Sequence, residues 1–190
     1  ATLSNATNED VTVGISTSGT GTEGTDYSTI SDITISAGQT TGTVSFTPTD
    51  DNTYEGNETG IVAISIVSGG SATEDGTQSV TITITENENA PTVTLATSAS
   101  SIAENAGSSL TLTATLSVAT TADVTVGIST SGTGTEGTDY STISDITISA
   151  GSTTGTASFT PSDDSIYEGD ETGIVAISSV SGGSATEDGT

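Results

Sequence analysis

Residues 11–15 read Val-Thr-Val-Gly-Ile, residues 80–84 read Val-Thr-Ile-Thr-Ile, and residues 110–113 read Leu-Thr-Leu-Thr. In each stretch an apolar residue occupies every second position, which is the spacing of a β-strand with one buried face and one face in water. No segment keeps the period of an amphipathic helix over several turns, and no apolar run approaches the length of a membrane-spanning helix. The sequence therefore predicts an all-β chain with no membrane insertion in this segment.

The chain also repeats itself. Residues 1–77 reappear as residues 114–190 at an offset of 113, and only ten of these 77 positions differ. Repetition at this fidelity is typical of modules arranged in a tandem array, so we expect the chain to be a segment of a longer tandem-repeat protein. We predict a first module at residues 1–89, lacking its first strand and part of its second, and a second module at residues 90–190, lacking its last strand.

One period is predicted to contain seven strands, A to G. Glycine-rich and Ser/Thr-rich turns separate them at short spacing, which indicates an antiparallel Ig-like β-sandwich in each module. Phe46 and Phe159 are expected in a thin core with the Ile and Val of strands C, F and G. The predicted strands are A near 91–98, B near 108–117, C near 124–132, D near 145–150, E near 154–161 and F near 172–181, with G at 78–86 in the first copy.

The composition excludes several partners and chemistries. The chain has 25 Asp and Glu residues and no Lys, Arg or His, so its formal net charge is −25. Nucleic acids and anionic membrane surfaces are excluded as partners, because proteins bind both through basic residues. The absence of Cys excludes disulfides and zinc–thiolate sites. No enzymatic activity is expected, because paired carboxylates would have to act without any His, Lys, Arg, Cys or Trp beside them.

The predicted topology brings acidic loops together. In a sandwich of seven alternating strands, the AB, CD and EF loops and the exit from strand G lie at the same end. The acids of these segments are Glu104, Asp139, Asp163, Asp164, Glu168, Asp170 and Glu171 in the second module, and Asp26, Asp50, Asp51, Glu55, Glu58, Glu86 and Glu88 in the first. Such a cluster is either a solvated acidic tip on a very soluble protein or a Ca²⁺ site, because Ca²⁺ takes about six to eight oxygen ligands from flexible loops.

Three stretches of the second module carry a family resemblance. They are Gly137-Thr138-Asp139-Tyr140, then Ile148-Ser149-Ala150-Gly151, and then Asp163-Asp164-Ser165-Ile166-Tyr167-Glu168-Gly169-Asp170-Glu171. The first module has the same frame at residues 24–27 and 50–58. These motifs resemble the Calx-beta domain, a family that includes the regulatory calcium-binding domains of sodium–calcium exchangers and many repeats of large bacterial surface proteins. The resemblance covers essentially the whole period.

The resemblance implies a set of Ca²⁺ ligands. The family binds the ion through an AB-loop glutamate, a CD-loop aspartate, the EF-loop acids and an acidic stretch after strand G. The matching positions are Glu104, Asp139, Asp163, Asp164, Glu168, Glu171 and the carbonyl of Ile166 in the second module, and Asp26, Asp50, Asp51, Glu55, Glu58 and the carbonyl of Thr53 in the first. Calcium-sensing members carry consecutive aspartates after strand G, whereas this chain has Glu86-Asn87-Glu88-Asn89, which leaves Glu86 and Glu88 as candidate ligands there.

Near identity between the copies favours a structural role, because recognition usually resides in one divergent terminal domain. We expect an extracellular or cell-surface stalk, filament or surface-layer segment that Ca²⁺ rigidifies. Its other partners would be neighbouring repeats of the same protein, with lateral or head-to-tail self-assembly. The alternative is an adhesive module that recognises a carbohydrate or a protein.

Overall fold

The computed structural model describes residues 1–189, which contain strands and no helix. None of these residues lies in a helix that could cross a membrane. The prediction of an all-β chain is confirmed. The strands are β1 (Val11–Gly19), β2 (Ile33–Ile35), β3 (Thr53–Tyr54), β4 (Glu58–Ser68), β5 (Ser79–Ile84), β6 (Thr92–Thr97), β7 (Leu110–Leu116), β8 (Ala119–Thr120), β9 (Val124–Gly132), β10 (Ile146–Ile148), β11 (Thr154–Phe159), β12 (Gly173–Ser181) and β13 (Thr186–Glu187).

The long strands lie where the alternating pattern predicts them. Predicted strands A to F of the second module correspond to β6, β7, β9, β10, β11 and β12, and predicted strand G of the first copy corresponds to β5. Three strands of two residues each, β3, β8 and β13, were not predicted, because two residues carry no periodic signal. Their pairings, β3 with β8 and β13 with β6, are parallel, whereas all pairs between longer strands are antiparallel.

Contacts divide the chain into two compact units. The first comprises Ala1–Asp51 and Gly56–Glu86, and the second comprises Asn52–Glu55 and Asn87–Thr190. The first unit contains one four-stranded antiparallel sheet in the order β2-β1-β4-β5. Its core consists of Val11, Val13, Ile33 and Ile35, which pair across β1 and β2. Residues 41–46, the counterparts of β11, form no strand here but only an isolated bridge from Thr41 to Thr2.

The second unit is a sandwich of two sheets, in the orders β10-β9-β12 and β11-β7-β6-β13. Its short β8 pairs with β3. The inward side chains of both sheets form one core, from Val93, Leu112, Leu116, Val124, Val126, Ile146 and Ile148. At one end of this core Tyr140 stacks on Phe159 with ring centroids 4.6 Å apart, and Tyr27 and Phe46 repeat the stack in the first unit at 4.5 Å. The aromatic pair marks the end of each unit from which the acidic CD loop extends.

Candidate metal centre

The CD-loop aspartate is held at the end of the core by a tight turn. The backbone N–H of Thr135 donates a hydrogen bond to Asp139 Oδ2 at 2.6 Å, and the N–H of Asp139 donates to the carbonyl of Thr135 at 2.9 Å. Gly137 has a φ of 83°, which this turn requires and a glycine adopts without strain. Asp26 repeats the contact in the first unit, where it accepts from the Thr22 N–H at 2.6 Å. The buried tyrosine that follows each aspartate anchors the turn to the core.

The AB and EF loops meet through two acids of the second unit. The backbone N–H of Asp164 donates to Glu104 Oε1 at 3.1 Å, across 60 residues of sequence. Asp164 in turn accepts a hydrogen bond from the N–H of Ile166 at 2.6 Å, which curls the EF loop around its own carboxylate, as Asp commonly does in turns. The three loops that the sequence places at one end therefore converge there.

Three groups of carboxylates bring one oxygen of each member within 4.8 Å of the others. In the second unit these groups are Glu104 with Asp164 and Glu168, and Asp139 with Glu168 and Glu171. Because Glu168 belongs to both groups, the two clusters are adjacent. Within the first unit Asp26 and Glu58, the counterparts of Asp139 and Glu171, also bring one oxygen each within 4.8 Å of each other.

Crowding of like charges changes the acidity of these groups. Desolvation of its carboxylate by neighbouring atoms raises the pKa of Glu168, and the negative charges of Asp139, Asp164, Glu171 and Glu104 raise it further. The pKa of Glu171 is likewise raised, first by desolvation of its carboxylate and then by the negative charge of Asp139. Burial and Asp26 likewise raise the pKa of Glu58. Each cluster thus favours a positive charge, whether a proton or a metal ion, between its carboxylates.

The exit from β5 is tied to the EF loop of the first unit. Glu86 Oε2 accepts a hydrogen bond from the N–H of Gly56 at 2.7 Å, and the N–H of Glu86 donates to Asn57 Oδ1 at 2.9 Å. The negative charge of Glu86 also contributes to the raised pKa of Glu58. Glu86 therefore lies at the same acidic end of the first unit as Asp26 and Glu58.

The remaining candidate ligands lie outside the three groups. They are Asp50, Asp51, Glu88 and Asp163, together with Thr53 and Ile166, which were expected to contribute backbone carbonyls. Thr53 lies in β3, and Ile166 lies in the EF loop with a side chain that is 66% exposed. Their ligand roles stay predictions.

Several other acids serve as hydrogen-bond acceptors within the fold, which the sequence did not indicate. Glu136 accepts from the Thr130 hydroxyl and from the Ile143 N–H, both at 2.7 Å, and these bonds lower its pKa. Asp145 accepts from the Ile128 N–H at 3.0 Å, beside the β-bulge between β9 and β12. No sequence pattern separates such acids from ligand candidates, because their partners lie 7 and 17 residues away.

The donor set fits Ca²⁺. All candidate side chains offer oxygen, the donor that Ca²⁺ prefers, and the chain has no His or Cys to favour a transition metal. Two oxygens bound to one Ca²⁺ at about 2.3–2.6 Å lie at most about 5 Å apart, and the oxygens within each group satisfy this limit. Glu104, Asp164, Glu168, Asp139 and Glu171 would hold the ion in the second unit, and Asp26 and Glu58 would hold it in the first unit. The ligand role of Glu55 stays a prediction.

Comparison with known proteins identifies the family. The Calx-beta domain model matches residues 2–88 and again residues 86–189, so that two consecutive matches cover nearly the whole chain. No curated protein matches the chain at a significant level. Members of the matched family are typically extracellular modules that bind Ca²⁺ and have no catalytic activity. The chain belongs to the Calx-beta domain family and consists of two such domains in tandem.

Proposed function

We propose that the chain is a structural segment of an extracellular or cell-surface stalk, filament or surface layer, in which Ca²⁺ binding at one end of each module stiffens the array. The observation that carries the proposal is the convergence of acidic loops distant in sequence on a common centre, with Glu168 shared between two carboxylate groups. A solvated acidic tip would have no need to hold these side chains against their mutual repulsion.

In each module the CD-loop aspartate would supply the fixed ligand and the EF-loop acids the mobile ones. Asp139 is held by the turn at Thr135, whereas the EF loop is exposed and can adjust to the ion. We propose two adjacent ions in the second module, bridged by Glu168. Asp163, the carbonyl of Ile166 and, in the first module, Asp50, Asp51 and the carbonyl of Thr53 are further proposed ligands.

The exit segment explains how an ion could stiffen the array. Glu86 contacts Gly56 and Asn57, and only four residues separate it from Pro91. An ion bound by Asp26 and Glu58, with Glu86 and Glu88 as additional ligands, would hold this exit against the CD and EF loops. Pro91 restricts its own backbone and that of Ala90, which further limits the flexibility of the connection. Extracellular modules commonly bind Ca²⁺ with a Kd of about 10⁻⁴–10⁻³ M, so saturation outside the cell requires no tighter site.

Small-angle X-ray scattering on a multi-repeat protein tests the stalk directly. We expect an extended, stiff particle in millimolar Ca²⁺, and a more flexible or shorter particle in chelator. Calorimetric titration of the 190-residue chain should detect Ca²⁺ binding under the same conditions. Identical maximum dimensions and flexibility with and without Ca²⁺ would refute the calcium-stiffened stalk.

Two double variants provide a matched comparison, because each removes the same number of negative charges. Glu58→Gln with Glu171→Gln alters the carboxylate groups, whereas Glu23→Gln with Glu136→Gln alters acids that accept hydrogen bonds within the fold. Only the first variant should lose Ca²⁺ binding and the scattering change. Equal losses in both variants would mean that net charge, and not these sites, governs the response.

A further inference from the structure

Asp75 and Gly76 lie in the exposed turn that connects β4 with β5. Gly76 has a φ of 69°, and no atom outside its chain neighbours lies within 4 Å of the position that a Cβ on this residue would occupy. The turn is closed on its other side by Gln78, whose backbone N–H donates to Glu74 Oε1 at 2.8 Å and whose side-chain amide donates to the carbonyl of Asp75 at 2.6 Å. The space around Gly76 is therefore open.

Most aspartates of the chain have their carboxylates fixed by the fold. Each of these carboxylates accepts a hydrogen bond from a backbone N–H, with distances of 2.6–3.0 Å. A carboxylate that is held in this way must break its bond before it can turn towards the backbone nitrogen of the residue that follows it. The aspartates concerned are Asp10, Asp26, Asp32, Asp123, Asp139, Asp145 and Asp164.

Asp75 differs from these aspartates in two respects. Within residues 1–189 its carboxylate accepts no hydrogen bond, and the N–H of Gly76 donates none. Asp75 also precedes a glycine, the residue that places no side chain beside its own backbone nitrogen. The same dipeptide recurs in the second copy as Asp188–Gly189. A carboxyl group that no bond fixes and an unhindered backbone nitrogen are thus neighbours in this turn.

We propose that Asp75 and Gly76 form a site of spontaneous covalent modification, at which the peptide bond moves from the main-chain carbonyl carbon of Asp75 to its side-chain carboxyl carbon. The nitrogen of Gly76 attacks Cγ of the neutral carboxyl group. An N–Cγ bond forms, and the carboxyl hydroxyl leaves as water with the amide proton, which closes a five-membered succinimide ring. Water then adds to one of the two ring carbonyls. Cleavage of the bond from nitrogen to the main-chain carbonyl carbon gives isoaspartate, and cleavage of the N–Cγ bond restores aspartate.

The isoaspartyl product would change the shape of the turn. Its main chain runs through Cβ and Cγ of residue 75, so the connection between β4 and β5 becomes longer by one carbon atom. The former main-chain carbonyl of Asp75 becomes a free carboxylate, and the hydrogen bond from the Gln78 side chain would have to rearrange. Because the turn is exposed and contributes nothing to the buried core, we expect the sheet itself to persist.

Incubation of the 190-residue chain in mildly acidic buffer at physiological temperature tests the site. We expect a species that is lighter by one water, the succinimide, and then isoaspartate at residue 75 that accumulates over days to weeks. Proteolysis followed by electron-transfer fragmentation in a mass spectrometer distinguishes isoaspartate from aspartate at each position. The aspartates with fixed carboxylates should stay unmodified over the same period. In amide NMR spectra of the aged protein, the largest shifts should fall at residues 74–78.

Three variants separate this site from general ageing of the chain. Asp75→Glu keeps the charge but would need a six-membered ring, so residue 75 should stay unmodified. Gly76→Asn keeps a residue that tolerates a positive φ and adds a side chain beside the nitrogen, so isoaspartate should form at least about tenfold more slowly. Asp32→Glu is the matched control, because the Ile15 N–H holds the carboxylate of Asp32, and this change should leave the rate at Asp75 unaltered.

Incubation in urea separates the contribution of the dipeptide from that of the folded turn. Because the turn is open, the folded chain should form isoaspartate at residue 75 within about tenfold of the rate in urea. Product that forms only in urea would overturn the proposal, since the folded turn would then hold the carboxyl group and the nitrogen apart. The absence of product in both conditions, an unchanged rate in Gly76→Asn, or equally fast modification of the fixed aspartates in the folded chain would overturn it as well.

Discussion

Replacing Glu58 by Gln should stabilise the metal-free protein and weaken its binding of Ca²⁺. The carboxylates of Asp26 and Glu58 have oxygens within 4.8 Å, and Asp26 is buried while Glu58 is half-buried. At that distance two unit charges repel by about 3.5 kcal/mol at an effective dielectric constant of about 20 and by about 0.9 kcal/mol in water. Because Glu58 retains contact with solvent, the lower figure is the better guide, and we expect a gain of about 1 kcal/mol.

Gln has the shape of Glu and keeps the backbone pairing of Glu58 with Ile84. Its amide can also donate a hydrogen bond to Asp26, the contact that contributes to the raised pKa of Glu58. A gain of about 1 kcal/mol corresponds to a rise in Tm of about 4–8 °C for a domain of this size. In saturating Ca²⁺ the sign should reverse, because the variant has lost a charged ligand and gains less from the ion.

Differential scanning calorimetry of the wild type and the variant, in chelator and in millimolar Ca²⁺, measures both effects. Glu23→Gln is the control, since it removes the same charge from a carboxylate that accepts hydrogen bonds from Thr17 and Ile30. This control should lower Tm in both buffers and leave the Ca²⁺-induced shift unchanged. A metal-free Tm of Glu58→Gln at or below the wild-type value would refute the repulsion, and an unchanged Ca²⁺-induced shift would refute the ligand assignment.

Three further outcomes are expected. In chelator, Tm should rise as pH falls from 7 towards the ordinary glutamate pKa of 4.5, because the raised pKa of Glu58 means that the folded state binds a proton more tightly than the unfolded chain does. Below that pH the lowered pKa of Glu136 should make Tm fall again. A Tm that falls steadily from pH 7 would contradict this prediction. Glu168→Gln should weaken Ca²⁺ binding in calorimetry more than a change in a carboxylate that belongs to one group, because Glu168 belongs to two. Gly132→Ala should strongly destabilise the second unit in thermal unfolding, because the added Cβ would lie 2.1 Å from a backbone oxygen, whereas Gly137→Ala, with a positive φ and open space, should cost about 1 kcal/mol.

The extreme negative charge of the chain should make its folding stability depend on how the charge of these clusters is balanced. With a net charge of −25 and no Lys, Arg or His, no side chain can neutralise a carboxylate through a salt bridge. Some acids are accommodated by backbone and hydroxyl donors, as Glu136 is by Ile143 and Thr130. The acids of the three groups instead face one another, and a proton or a cation from solution can balance their charge. Folding stability and calcium occupancy should therefore be coupled in this protein.

Much of the fold could be predicted from the sequence, because a strand with one buried face has apolar residues at every second position. The alternation at residues 80–84 and 110–113 located β5 and β7, and the repeat at an offset of 113 placed each prediction twice. The Gly-Thr-Asp-Tyr and Asp-Asp…Glu motifs identified the Calx-beta family, which the family comparison confirmed. These features depend only on residues that are close together in the sequence, so they can be recognised without the tertiary structure.

The tertiary structure decided which acids share a centre and which do not. Glu136 and Asp139 lie three residues apart in one loop, yet the first accepts hydrogen bonds from Thr130 and Ile143 while the second faces Glu168 and Glu171. The contact of Glu104 with Asp164 spans 60 residues, and β6 and β12 belong to different sheets of one sandwich. A carboxylate looks the same in the sequence whether a hydrogen-bond donor or another carboxylate faces it, since its neighbours in space come from segments that only the packing of the two sheets brings together.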